Sequence, residues 1–166
     1  MPAEQPSVDP AAYRHVMSRL PTGVCIVTTV EDGARHGMTV NALTSVSLDP
    51  VLMLFCCERD ASLHDPVLRS GVWAVSVLTA GQADVSRWFA TKEHRGEDRF
   101  AGWELQPGAR TGAPLLCDAL AWFECRTWAT YDGGDHTIVV GEVLDLTVHR
   151  DTTPLLYFRG GYTSPH

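Results

Sequence analysis

Thr39, Asn41, Thr44, Ser45 and Ser47 crowd into residues 37–50 (G-M-T-V-N-A-L-T-S-V-S-L-D-P), between two apolar, strand-like segments. Small hydroxyl and amide side chains beside backbone amides can satisfy the in-plane donors and acceptors of a flat, polar-edged ligand. Backbone groups of Val40, Asn41 and Val46, with the hydroxyls of Thr39, Ser45 and Ser47, would supply those bonds. Each is worth about 1 kcal/mol net, so several together orient a ring while apolar contact supplies more of the affinity. A strand end followed by a Thr/Ser-rich turn gives the same pattern with no ligand at all.

Other constellations carry similar double readings. Residues 56–62 (C-C-E-R-D-A-S) end a strand and open a helix, where free backbone amides attract phosphate; Ser62 adds a hydroxyl and Arg59 a charge. Ser62 as a plain helix cap is the alternative. In residues 86–92 (S-R-W-F-A-T-K), Trp88 and Phe89 diverge on one helix, so one packs inside while the other is free to meet a ligand, and Arg87 and Lys92 could reach a phosphate. An aromatic core anchor and a solvated charged face account for the same residues. Gly134-Asp135-His136 lifts an imidazole to a strand mouth, able to bond a carboxamide or shuttle a proton; a turn histidine that merely starts a strand is the alternative. Residues 157–162 (Y-F-R-G-G-Y) let backbone approach a ligand at two glycines, with Arg159 and Tyr162 beside it, or are a last strand fraying into a tail.

Several chemistries are absent from the sequence. There is no G-x-G-x-x-G, no phosphate loop and no G-x-S-x-G elbow. The histidines form no H-x-x-x-H pattern, and with the cysteines they make no metal set, so no metal is expected. Five cysteines, an odd number without C-x-x-C, sit mostly in apolar runs and read as reduced thiols. A net charge of -7 repels a phosphate backbone, which argues against nucleic acid as a partner. The first ten residues have neither a basic head nor an apolar core, and no apolar run approaches the ~20 residues of a membrane span, so a cytoplasmic protein is expected.

The elements that must position these residues follow from patterning. Residues 1–8 read as a flexible arm and 9–166 as one domain. Asp9 caps a helix with Pro10 at its first position, running to Leu20 with Tyr13, Val16, Met17 and Leu20 on one apolar face. Strands are expected at 23–30, 37–43, 51–57, 71–78, 121–129, 137–148 and 155–158, with a hairpin at Glu31-Asp32-Gly33. A short helix or turn is expected at 62–70, a helix capped by Thr79 through about Thr91, and a charged loop at 92–99. Many strands, few helices and no βαβ alternation point to an antiparallel barrel.

In order along the chain, P-T-G-V-C-I-V-T-T at Pro21, the 37–50 run, the apolar strand at Val51, S-R-W-F-A at Ser86, R-F-A-G at Arg99, G-D-H-T-I-V-V-G-E-V at Gly134 and P-L-L-Y-F-R-G-G-Y at Pro154 resemble the flavin reductase-like family. These are short-chain NAD(P)H:flavin oxidoreductases. The resemblance implies a mainly β fold, a six-stranded antiparallel split β-barrel of Greek-key type with a few flanking helices. It implies a homodimer with flavin near the subunit interface. FMN or FAD would be the cofactor, NADH or NADPH the co-substrate, and a flavin-dependent monooxygenase the partner that receives reduced flavin. By resemblance, Thr39, Val40, Asn41, Ser45, Val46 and Ser47 contact the flavin ring; Ala61, Ser62 and Lys92 contact the ribityl chain or phosphate; and Phe89 packs nearby. His136, Arg159 and Tyr162 are implied nicotinamide contacts, with His136 the catalytic candidate. Ala42 stands where many relatives carry serine, which removes a side-chain contact but not a backbone one. A flavin-binding sensor or carrier of the same fold, or an FMN-dependent oxidase with its own small organic substrate, are the alternative functions.

Overall fold

The computed structural model describes residues 7–92 and 99–165. Most of the expected arm and of the charged loop therefore lie outside the described residues. Asp9 caps α1 (Pro10–Met17), its carboxylate accepting from the Ala11 and Ala12 amides at 3.3 and 3.1 Å. The helix ends short of Leu20 because the amides of Arg19 and Leu20 turn back to the carbonyls of Val16 and Met17, tightening the last turn. No residue of α1 is buried, and its apolar face, Tyr13, Val16, Met17 and Leu20, is exposed.

The chain continues through β1 (Thr22–Gly23), β2 (Cys25–Glu31), β3 (Ala34–Val40), β4 (Leu43–Leu48), β5 (Val51–Glu58), α2 (His64–Ser70) and β6 (Val72–Val77). A single 3-10 turn (Ala80–Gln82), in which Gln82 Oε1 accepts from the Thr79 amide at 2.9 Å, leads into α3 (Ala83–Ala90). Beyond it come β7 (Leu105–Pro107), β8 (Pro114–Leu116), β9 (Ala121–Gly133), β10 (His136–Val148), β11 (Leu156–Phe158) and β12 (Gly161–Thr163).

The main sheet runs β3-β2-β6-β9-β10-β5-β4, antiparallel throughout. It has seven strands, not the expected six, and no ladder pairs its two edges into a closed barrel among the described residues. The extra strand is β4, which lies in the Thr/Ser-rich run. Leu43 stands opposite Phe55 and Ser45 opposite Met53, with a register shift at Val46, while Thr44, Val46 and Leu48 face outward. Thr44, Ser45, Val46 and Leu48 are all exposed, so the strand lacks the apolar content that marks a buried one. The expected strand at 155–158 leaves the main sheet and forms β1-β11-β12; β7 and β8 make a separate hairpin.

The two edge strands β3 and β4 are consecutive in the chain, joined only by Asn41 and Ala42. Three Cα–Cα steps of ~3.8 Å reach at most about 11 Å, so opposite edges of the sheet must approach at this corner. The Ala42 carbonyl accepts from the Cys56 amide at 3.0 Å, fixing the crossing to β5. The sheet is thus strongly curled. Its concave side packs Val27, Phe55, Trp73, Val75, Cys125 and Val139, with Phe55 and Trp73 edge to face at 4.9 Å. Gly141 makes room for that indole: a Cβ there would fall 2.3 Å from Trp73 Cζ2. A second core joins Val24, Ile26 and Leu78 to Val85, Phe89 and Phe100.

Candidate functional site

The corner between β3 and β4 is the hub of three adjoining clefts. On its first side, the Thr39 hydroxyl donates to the Ser86 carbonyl at 2.6 Å, tying β3 to α3. The Ser86 hydroxyl in turn meets Tyr162 Oη at 2.7 Å. These residues, with Asn41, Ala90 and Tyr157, line a cleft of about 280 Å³. Tyr157 and Tyr162 stand edge to face at 5.7 Å, and the Arg87 guanidinium lies 5.1 Å over the Tyr162 ring. Arg159 and Gly160, both at positive φ, make the tight turn that sets Tyr157 opposite Tyr162.

Ala90 also lines the second cleft, of about 50 Å³, which brings together Ala61, Ser62, Phe89 and Lys92. Phe89 is its floor: the ring is buried and set edge to face on Phe100 at 5.5 Å. Trp88, the diverging neighbour, donates its indole N–H to the Arg99 carbonyl at 2.7 Å. The Ala61 amide is used in a turn to the Glu58 carbonyl at 3.1 Å, and Leu63, not Ser62, occupies the cap position of α2. The Ser62 side chain is exposed, and the Lys92 ammonium pairs with the Glu58 carboxylate at 3.8 Å on the same cleft. Asn41 and Tyr157 open into the third cleft, of about 400 Å³, which reaches Tyr13 and Arg14 on α1. The Thr22 hydroxyl on its wall is buried without a partner among the described residues.

The remaining candidates lie apart. Val40 is buried and turns its side chain to the core, leaving only its backbone toward the corner. Ser45 and Val46 are exposed along β4, and the Ser47 hydroxyl accepts from the Asp49 amide at 3.2 Å. His136 begins β10 in register with Glu58, at the Lys92 end of the groove and not beside Tyr162. Its Nδ1 is 2.7 Å from Asp135 Oδ1, and the hydrogen bond from His136 holds the Asp135 carboxyl below the usual carboxylate range. A carboxylate only accepts, so Nδ1 carries the proton of this bond. Arg159 lines none of the three clefts; its guanidinium lies 5.0 Å over Phe158. Arg59 turns to the 132–135 turn and away from the cleft it was expected to charge.

Tyr157 and Ser86 were not anticipated as site residues. The sequence did carry a signal for Tyr157: an Arg-Gly turn between two tyrosines, which a hairpin places face to face. A separate cleft of about 720 Å³ lies at the start of the α3 region around Gln82, Trp103 and Arg150, and none of the expected site residues lines it. No group of side chains among the described residues could hold a metal ion, and no helix there is long and apolar enough to cross a membrane.

Comparison with known proteins gives a consistent picture. A family model described as "Flavin reductase like domain" matches residues 17–166. The reductase subunit HsaB of a flavin-dependent monooxygenase from Rhodococcus jostii is 35% identical over 159 residues, covering 95% of this chain and 78% of that protein. Among solved structures, BorF, the flavin reductase component of a bacterial two-component tryptophan halogenase, superposes with a TM-score of 0.89 at 43% identity, over 94% of this chain and 98% of that one. The NADH:FAD oxidoreductase SgcE6 of Streptomyces globisporus, in complex with NAD and FAD fragments, gives a TM-score of 0.88 at 38% identity, covering 96% of each chain.

Proposed function

The chain belongs to the flavin reductase like domain family, and from that premise we propose that it is an NAD(P)H-dependent flavin reductase delivering reduced FMN or FAD to a partner monooxygenase. The observation that carries this reading is the set of adjoining clefts at the Thr39–Asn41 corner, one lined by Ser62 and Lys92 and the next by Tyr157 and Tyr162. A bound flavin supplies two-electron redox chemistry there. The protein's part is to orient two flat heterocycles against each other, since proximity and alignment lower such a barrier more than an acid–base pair would.

In this reading Thr39, Val40 and Asn41, with Ser45, Val46 and Ser47 along the neighbouring edge, bond the flavin ring, largely through backbone groups. Phe89 floors the cleft in which Ala61, Ser62 and Lys92 hold the ribityl chain or phosphate. Tyr162 belongs to the nicotinamide nucleotide side, and Arg159 reaches that side only by swinging off the Phe158 ring. His136 accepts from the carboxamide through Nε2, with Asp135 fixing its tautomer.

The curled sheet with unpaired edges supports a split barrel. A homodimer is supported by the uncovered apolar face of α1 and by Leu48, 89% exposed at the sheet edge beside Val46 and Val51. Free cysteines at all five positions support a reducing, cytoplasmic setting.

The test is steady-state oxidation of NADH and NADPH with added FMN or FAD. Flavin-stimulated turnover with at least one pair is expected. No turnover with any pair, or a protein that purifies yellow and ignores nicotinamides, sinks the reading in favour of a carrier or oxidase.

A further inference from the structure

We infer that Arg59 is a positioning residue that sets His136 toward the nicotinamide substrate by clamping the β9–β10 turn; this rests on the role given to His136 above. Glu58 closes β5 in register with His136, so Arg59 runs alongside the turn that precedes it. Its backbone amide donates to the Asp135 carbonyl at 3.0 Å and its Nε to the Gly134 carbonyl at 2.9 Å. Its Nη2 donates to Asp132 Oδ1 at 3.0 Å, and the same carboxylate oxygen accepts from the Gly134 amide at 3.0 Å. One side chain and one carboxylate thus satisfy both polar groups of Gly134, a residue at φ +78°. Asp135, held by the Arg59 amide, is the residue that fixes the imidazole. On the far side, His64 Nε2 meets Thr137 Oγ1 at 2.8 Å, so His136 is braced before and after.

The alternative is that Arg59 binds a phosphate. Geometry opposes it: the donors Nε and Nη2 are spent on the turn, and Arg59 does not line the cleft of Ser62 and Lys92. Supporting groups of this kind set the precision of a binding site while contributing little to overall stability when exposed.

The experiment compares R59Q, D132N and H136A with the wild type in NADH and flavin titrations. R59Q and D132N are each expected to raise the NADH KM about five- to tenfold, with kcat at saturation and the flavin KM within about twofold. R59Q combined with H136A is expected to be no worse than H136A alone. Calorimetric titration of NAD+ into the flavin-free protein should show the same weakening without turnover. D132N decides between the roles, because among the described residues the Asp132 carboxylate bonds Arg59 and Gly134 and does not line the cleft of Ser62 and Lys92. A raised flavin KM in R59Q with unchanged NADH KM overturns the inference and makes Arg59 an anion ligand. Unchanged NADH KM in both R59Q and D132N, with H136A impaired, overturns the clamp while the role of His136 stands. Unchanged NADH KM in H136A overturns that role, and the inference with it.

Discussion

The Thr39 hydroxyl donates to the Ser86 carbonyl at 2.6 Å, so the end of edge strand β3 and the middle of α3 are joined by a bond across the cleft they line. The width of the cleft is therefore set by a side chain that also belongs to the proposed flavin surface.

Replacing Thr39 by Val removes the donor and leaves the carbonyl without it. A loss of about 1 kcal/mol in stability is expected, with a rise in flavin KM, and Ser at the same position should restore both. Denaturant titration and flavin-dependent kinetics measure the two effects; a rise in KM without any stability loss would separate the hydroxyl from the strap.

Acid should release the turn that carries His136. Asp132 is held below the ordinary carboxylate range first by the Gly134 amide and then by Arg59. A depressed folded pKa means that the bond is fully present above the unfolded value of about 3.9 and is lost as pH falls through the lower folded value. The amide proton resonance of Gly134 is expected to titrate with a midpoint under about 3.9. A midpoint at or above that value contradicts the arrangement.

Gly141→Ala drives a methyl into the Trp73 indole, whose Cζ2 and Cε2 lie 2.3 and 2.9 Å from the new Cβ. Overpacking of this kind costs about 1–3 kcal/mol or more. A lowered melting temperature with altered tryptophan fluorescence is expected; a fully stable variant would mean that the indole is free to move aside.

Burial pushes the thiols of Cys25, Cys57 and Cys125 up to about 12. Only thiolate reacts, so a thiol reagent at about pH 8 should leave these three unmodified in the native protein and label them after denaturation. Mass mapping of labelled peptides decides it, and rapid native labelling of Cys25 would show local opening of β2.

Much of the fold is legible in the sequence. Asp9-Pro10 announced the cap, Asp32-Gly33 the hairpin, and the apolar runs became β5, β6, β9 and β10. What escaped was set by tertiary position. Strand β4 looks like a turn because most of its side chains are exposed, and the three-residue strands β7 and β8 are too short for any period to appear. The corner at Thr39 and Asn41 was readable from its unusual polar density. The partners of Arg59 were not, because Gly134 and Asp132 stand 75 and 73 positions away along the chain. No local pattern distinguishes an arginine that fastens a distant turn from one that awaits an anion.

The order of strands also governs when the groove can exist during synthesis. The β4–β5 ribbon joins the rest of the sheet only through β10, more than seventy positions later in the chain. Pairings that distant fold slowly, and a nascent chain emerges from its N-terminus. Until residues 136–142 of β10 have been made, β5 has no ladder partner on its far side, and premature release would leave that edge unpaired and open to aggregation.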